Sequence, residues 1–156
     1  MSSPSARLAE LGLVLPAVPA PVASYVPAVR HGDLVFSSGQ LPMVDGALGV
    51  TGKVGTSPGA VSGDVARDAA RTCALNAVAA VAAEAGGIDA ITAVVKVTGF
   101  VASEPGFGGQ PAVVDGASEL LGSVFGDGGR HARSAVGVAV LPLDAPVEIE
   151  IVVAVS

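Results

Sequence analysis

The C-terminal segment Val147–Val155 alternates strictly between two kinds of position, and this pattern constrains the fold more than any other in the chain. Its odd-numbered positions are all apolar and β-branched, whereas its even-numbered positions include Glu148 and Glu150. A period of two is typical of a strand with one face against a core, since successive side chains point to opposite faces. We therefore expect a strand that buries its odd-numbered face and places both carboxylates on the other.

The remaining segments predict two long helices and further strands around this one. The helices cover 62–85, capped by Ser62 or Asp64 and ended by Gly86, and 112–125. Strands are expected at 25–30, 34–38, 93–101 and directly after Arg133, with a short strand near 48–51 and a short helix at 4–11. This order predicts an α+β fold in which two helices pack on one face of a mixed sheet, with hairpins at both ends of the chain.

The chain is expected to form one domain at 25–156, preceded by a short helix and a proline-rich lead-in at 1–24. The apolar stretch at 11–24 is similar to a secretion signal, but prolines at 16, 19 and 21 interrupt it. No run is long enough to span a membrane. We expect a cytoplasmic protein.

Composition favours association between copies of the chain and argues against nucleic acid as a partner. Hydrophobic residues make up 51% of the 156 residues and are mostly Ala and Val, with four Phe, one Tyr and no Trp. Small side chains each bury little area, so association would add buried surface that the monomer lacks. Fourteen acidic residues against eight basic ones give a net charge of −6, which repels phosphate backbones.

Residue types that bind metals or cofactors are sparse. Cys73 is the single cysteine, so the chain has no internal disulfide, and we expect its side chain to be buried on a helix. His31 and His131 lie in predicted turns or loops, without partner ligands at a short spacing. We therefore expect no metal and no cofactor.

Arg133 stands at the start of an otherwise small and apolar segment, where a guanidinium is costly to desolvate without an anionic partner. Two interpretations remain open from the residues alone. Arg133 is either a surface arginine, with Glu148 and Glu150 as solvated carboxylates, or it binds the carboxylate of a ligand through its planar fork. If the last two strands formed an antiparallel hairpin, Glu148 would lie further along the partner strand and not directly opposite Arg133.

The motifs "YVPAVRHGDLVFSSGQLP", "GASELLGSVFG" and "GRHARSAVGVAVLPLDAPVEIEIVVAV", in this order and at this separation, resemble the Rid family. This family is also known as YjgF-type and is often labelled endoribonuclease L-PSP, and the resemblance covers residues 8–156, closest to a bacterial branch of longer chains. It implies a chorismate-mutase-like α+β fold and a homotrimer with ligand clefts between subunits. It also implies hydrolysis of reactive enamines and imines to 2-keto acids and ammonia, without metal or cofactor.

The resemblance also assigns roles to particular residues. Arg133 matches the arginine that holds the substrate's carboxylate, and Glu148 matches the glutamate that positions water. Tyr25 and Gly39 match residues that shape the cleft and contact the ligand. Asp115 matches a substrate-binding position that is an asparagine in the deaminases, and Ala135 replaces a cysteine found in some of them; both departures put the substrate in question.

The leading hypothesis is therefore an imine and enamine deaminase acting on a small carboxylate-bearing substrate. An alternative is a trimer that binds small carboxylates without turnover, as a sensor or partner protein. A third is the ribonuclease of the family's label, which the acidic surface and the scarcity of aromatic side chains for base stacking disfavour.

Overall fold

The computed structural model describes residues 2–18, 20 and 23–156. Within these residues, three helices and seven strands follow one another: α1 (Pro4–Glu10), β1 (Ala28–His31), β2 (Leu34–Ser37), β3 (Met43–Val44), β4 (Ala47–Leu48), α2 (Gly63–Ala85), β5 (Ile91–Ala102), α3 (Gln110–Phe125), β6 (Ala132–Val138) and β7 (Val147–Val155). Short 3-10 helices lie at Ile88–Ala90, Gly126–Gly129 and Pro142–Asp144. The predicted α+β class, with a mixed sheet and helices, is confirmed.

Five strands form the main sheet in the order β1-β2-β7-β5-β6, with β5 and β6 parallel and the other neighbours antiparallel. The β1–β2 hairpin that the sequence predicts is confirmed. The prediction of a C-terminal hairpin is wrong, because β6 and β7 both pair with β5, from opposite sides, and not with each other. The segment 139–146 between them is longer than a tight hairpin loop, and it carries the chain across the end of β5.

The two faces of the sheet differ in what covers them. On β7, the odd-numbered side chains are at most 4% exposed and face α2, as the alternation predicts. Their neighbours in register on β5 include Val97 and Val101, which are also fully buried. We call this the helix face. The even-numbered side chains of β7, with Phe100 and Thr98 beside them on β5, form the other face, which we call the open face.

Helices α2 and α3 pack closely against each other because small residues line their contact. A Cβ at Gly116 would overlap the backbone carbonyl of Arg67, so only glycine lets the helices approach this far. Ser62 caps α2 at its start, accepting from the amide of Val65, and Gly86 ends it in the left-handed region, as predicted. Cys73 is buried on α2, where burial raises the pKa of its thiol well above the usual range.

Several predicted boundaries shift for local reasons. The first strand begins at Ala28 and not at Tyr25, because Pro27 has no amide proton to pair. The short strand predicted near 48–51 is instead the two-stranded hairpin β3–β4, which turns at Asp45 and Gly46, both with positive φ. Strand β6 begins before Arg133 and therefore includes it.

The N-terminal segment packs onto the same body through Leu8 of α1, which is buried and lies near α3. Pro16 is described by the structure, but the two further prolines of the predicted lead-in, at positions 19 and 21, lie outside the described residues. A boundary at residue 24 stays a prediction. Over the described parts of the chain, we find no helix that combines the length and the apolar character needed to cross a bilayer.

Candidate functional site

Arg133 lies on the edge strand β6, in register with the buried Val97 of β5, so its side chain projects on the helix face toward α3. There Nη1 donates to Asp115 Oδ1 at 2.7 Å and to Ser118 Oγ at 3.2 Å. Nη2 makes a longer contact with the carbonyl of Pro111, at 3.4 Å. The Arg133 side chain is 23% exposed and that of Asp115 is 45% exposed. The anionic partner of Arg133 within its own chain is therefore Asp115.

Two further hydrogen bonds, both made by His131, hold the serine that contacts Arg133. Ser118 Oγ lies 2.9 Å from His131 Nε2, and His131 Nδ1 lies 2.6 Å from the carbonyl oxygen of Gly129. A carbonyl only accepts, so in the neutral imidazole Nδ1 carries the proton and Nε2 accepts from the Ser118 hydroxyl. The hydroxyl oxygen then accepts from Arg133. The sequence places His131 in the loop before Arg133, where it could alter the site, but gives no prediction for Ser118.

One signal for Ser118 was present in the sequence. It stands three residues after Asp115 on a predicted helix, a spacing that places two side chains on the same helical face. Any residue that Asp115 contacts could therefore reach Ser118 as well. What the sequence does not show is that the loop before β6 returns His131 to this same face.

Glu148 occupies a different environment, on the open face of β7 opposite Phe100. Its carboxylate lies against the backbone of Gly39 in the loop after β2, where a Cβ would overlap Oε1. Half-burial raises the pKa of the Glu148 carboxyl, and the neighbouring charge of Glu150 on the same face raises it further. Gly39 and Glu148, both predicted as site residues, are thus brought into contact.

Arg133 and Glu148 are not brought together within one chain. Strands β6 and β7 lie two strand spacings apart, about 9.5 Å across the sheet. Their register partners on β5, Val97 and Phe100, are three residues apart along the strand, a further distance of about 10 Å. The two side chains also leave opposite faces. The structure therefore contains two half-sites: an arginine half-site of Arg133, Asp115, Ser118 and His131, and a glutamate half-site of Glu148 and Gly39.

The other residues named from the sequence are also placed. Tyr25 lies in the segment before β1 and is 57% exposed; the next residue, Val26, accepts a hydrogen bond from Ser38 Oγ, beside Gly39. Ala135 follows Arg133 on the helix face, partly buried against the core. Arg130 is exposed in the loop before β6. Among the described residues, no group of three or more His, Cys, Asp or Glu side chains is arranged to hold a metal ion.

Chemically, the arginine half-site offers a fixed guanidinium to an anion, and the glutamate half-site offers a carboxyl group suited to exchanging a proton with water. A five-stranded mixed sheet with two helices packed on one face is the α+β arrangement of the chorismate-mutase-like fold. The YjgF/chorismate mutase-like family, whose model carries an endoribonuclease label, matches residues 5–154. The chain belongs to this family, which is the one that its sequence motifs resemble.

Three relatives illustrate the range of similar proteins. Protein TCP17 of Trypanosoma cruzi is 45% identical over 150 residues, which cover 96% of this chain and 92% of TCP17. The 2-iminobutanoate/2-iminopropanoate deaminase of Dermatophagoides farinae is 37% identical over 141 residues, covering 90% and 93% of the two chains. The crystal structure of Atu1372, a protein of unknown function from Agrobacterium tumefaciens, superposes with a TM-score of 0.86 at 45% identity, covering 99% and 94%.

Proposed function

We propose that the protein is a deaminase that hydrolyses reactive 2-imino acids, and the enamines in equilibrium with them, to 2-keto acids and ammonia. The observation that carries this proposal is the glutamate half-site: a half-buried carboxyl with a raised pKa, held against a glycine backbone where no side chain fits. The raised pKa makes the ionised Glu148 carboxylate a stronger base toward water than an ordinary glutamate. The relationship to a 2-iminobutanoate/2-iminopropanoate deaminase supports the same reaction.

The proposed active cleft lies between two copies of the chain in a homotrimer, because one copy cannot bring its own Arg133 to its own Glu148. Apolar side chains on the open face support association. Val29, Phe36 and Val136 are 52%, 41% and 43% exposed in the single chain. Phe36 is in register with Val152 of β7, and Val136 with Phe100 of β5, so all of them belong to one uncovered surface.

In this cleft Arg133 of one subunit binds the substrate carboxylate, and Glu148 of the neighbour holds water beside the imine carbon. Glu148 accepts a proton as the water oxygen bonds to that carbon, giving a carbinolamine. Return of the proton to nitrogen makes ammonia the leaving group. As the carbon–nitrogen bond breaks, an oxygen electron pair forms the keto double bond, and the hydroxyl proton passes through Glu148 to ammonia, so the products are the 2-keto acid and ammonium. Tyr25 and Gly39 shape the cleft. Orientation and proton transfer through one carboxylate suffice because the protonated imine is already electrophilic.

The first test follows release of pyruvate from 2-iminopropanoate generated in situ, with the wild type, Arg133→Ala and the control Arg71→Ala. Arg71 is an exposed arginine on α2, so its loss removes the same charge away from both half-sites. We expect the wild type and Arg71→Ala to exceed the spontaneous rate by about 10²-fold or more, and Arg133→Ala to fall close to it.

No acceleration by the wild type with several 2-imino acids contradicts the deaminase proposal. In that case, an increase in melting temperature with small carboxylates, absent in Arg133→Ala, would identify a carboxylate-binding protein without turnover. Equal rates for Arg133→Ala and the wild type would instead remove Arg133 from the mechanism.

A further inference from the structure

A cavity of about 400 Å³ lies between the N-terminal lead-in, the β3–β4 hairpin and helix α2. Its apolar walls include Pro16 and Val18 of the lead-in, Met43 of β3 and Ala79 of α2. Small-molecule sites in proteins have volumes of about 300–1,000 Å³, so this cavity is large enough for a ligand. We call it the lead-in cavity. The described residues that line it belong to neither half-site.

The walls of the lead-in cavity are fixed by contacts with the rest of the chain. Leu13 and Leu15, which directly precede the lead-in wall, pack against the hydrophobic core. On the hairpin side, Asn76 Nδ2 donates to the carbonyls of Leu41 and Met43, at 3.0 Å each. The cavity is therefore formed by folding, and a ligand that enters it does not have to order its walls.

Two side-chain amides present their oxygens to a ligand in this cavity. Both hydrogens of Asn76 Nδ2 are used by the two carbonyls, so Oδ1 is the amide atom left for a ligand. Among the described residues, no polar side-chain atom is both buried and unpaired, which means that Oδ1 is accessible. Gln40 Nε2 donates to the Ser38 carbonyl at 3.3 Å, which leaves Oε1 of Gln40 as a second acceptor.

The charge at the cavity favours a cation. Asp45, at the exposed turn of the β3–β4 hairpin, contributes a carboxylate, and the described lining residues include no Lys, Arg or His. An anionic ligand would meet a like charge and side-chain oxygens, whereas an ammonium group can donate three hydrogen bonds to them. Apolar walls beside these oxygens therefore fit a compact apolar body that carries one ammonium group.

We propose that the lead-in cavity is a second binding site, which takes a primary amine with a short aliphatic or aromatic body and no carboxylate. The missing carboxylate separates this ligand from the proposed substrate of Arg133. The cavity also lies behind the glutamate half-site: the backbone of Gln40 pairs with the buried Ile149, while Gly39 contacts Glu148 on the open face. Binding in the cavity and turnover can therefore be measured separately.

The test compares three ligands that share a phenylethyl body and differ in their head group: 2-phenylethylamine, 2-phenylethanol and 3-phenylpropanoate. Each is titrated into the ¹⁵N-labelled protein at pH 7, with the side-chain amide signals of Asn76 and Gln40 and the backbone signal of Gly46 as reporters. We expect the amine to bind with a Kd of about 1 mM or tighter. The alcohol should bind more weakly, and the carboxylate should leave the three signals unchanged.

Asp45→Asn tests the charge without disturbing the turn, because asparagine tolerates the positive φ of 51° at this position. The affinity for the amine should fall by about two- to fivefold, as expected for an exposed charge, and the affinity for the alcohol should stay the same. The matched control is Asp33→Asn, an exposed aspartate in the β1–β2 turn, at the opposite end of β2 from Gln40. This variant should bind the amine like the wild type.

Ala79→Leu tests the location by filling the cavity with a larger side chain, and it should weaken binding of the amine more than tenfold. Its melting curve shows whether the variant folds; if it does not, the comparison of Asp45→Asn with Asp33→Asn decides. Full affinity in a folded Ala79→Leu protein would place the amine elsewhere and overturn the proposal.

Three other results would also overturn it. The first is that the amine fails to bind the wild type at about 10 mM. The second is that 3-phenylpropanoate moves the three signals with the same affinity as the amine. The third is an equal loss of affinity in Asp45→Asn and Asp33→Asn, since the amine would then be attracted by the net charge of −6 and not by this cavity.

Discussion

The arginine and glutamate half-sites differ in how completely their own chain satisfies them. Arg133 has an ion pair with Asp115 and a hydrogen bond to Ser118, on the face of the sheet that α3 covers. Glu148 has no such partner among the described residues; it lies near a second carboxylate, on the open face of the sheet, which no described helix covers. Folding of one chain thus supplies the partners of Arg133. In the glutamate half-site, partial burial and the charge of Glu150 disfavour the ionised carboxylate of Glu148, a free-energy cost that a neighbouring subunit or a ligand can relieve.

The strongest test of this contrast is complementation between two inactive variants. If each cleft combines Arg133 of one subunit with Glu148 of the next, Arg133→Ala and Glu148→Gln proteins should each be inactive alone. Unfolding and refolding them together in equal amounts should restore about a quarter of the wild-type activity, because a quarter of randomly assembled clefts receive both native residues. The measurement is pyruvate release before and after mixing.

The control for complementation is a mixture of Arg133→Ala with Arg133→Ala/Glu148→Gln, in which no cleft can contain a native arginine. Activity restored in that mixture would trace to refolding rather than to shared clefts. If the two single variants regain nothing when they form mixed oligomers, Arg133 and Glu148 do not meet across a subunit boundary, and the proposed cleft is wrong.

A second prediction concerns the contact that fixes Glu148. Gly39→Ala places a methyl group where the Glu148 carboxylate lies, so the carboxylate must move by about 1 Å or more. A displacement of this size in a catalytic group costs about 10- to 100-fold in turnover. We expect kcat to fall by that amount, with the KM for 2-iminopropanoate changed much less.

The matched control is Gly49→Ala, since a Cβ at Gly49 meets no atom within 4 Å and its backbone needs no positive φ. Turnover of this variant should stay close to that of the wild type. Full activity of Gly39→Ala would show that the position of Glu148 is not needed for the reaction, and the contrast between the half-sites would lose its functional meaning.

The sequence predicted the local parts of this picture because they depend on neighbours along the chain. Alternation in β7 placed Glu148 on the face opposite the core, and Ser62 and Gly86 marked the ends of α2. The pairing of β6 was not predictable in this way. A turn sequence such as "LDAP" occurs in hairpins and in crossover connections alike. The length and burial of strand β5 place β5 between β6 and β7.

The contacts within the arginine half-site could not be predicted from the sequence for the same reason. Asp115 was identified by matching the chain to the family, but its orientation toward Arg133 depends on how α3 lies over β6, which is set by long-range packing. The same holds for His131, whose loop gives no sign in the sequence that it returns to Ser118.

The smallest expected effect is on the stability of the folded protein, and it tests whether the ionised carboxylate of Glu148 is destabilising. Its folded pKa is raised, so the folded protein holds this proton more tightly than the unfolded chain does. The resulting stabilisation is complete below the ordinary pKa of a glutamate and is lost as the pH rises through the raised value. At neutral pH the ionised carboxylate therefore opposes folding, and Glu148→Gln should raise the melting temperature by about 1–4 °C at pH 7.

The gain from Glu148→Gln should shrink as the pH falls toward 4, where the wild-type carboxyl is protonated as well. Melting curves measured from pH 4 to pH 8 give this dependence directly. Glu150→Gln provides the comparison, since the charge of Glu150 is the lesser of the two causes of the shift; it should give a smaller change of the same sign. If Glu148→Gln raises the melting temperature by the same amount at every pH, the destabilisation in the wild type comes from packing and not from the charge of Glu148, because protonation removes only the charge.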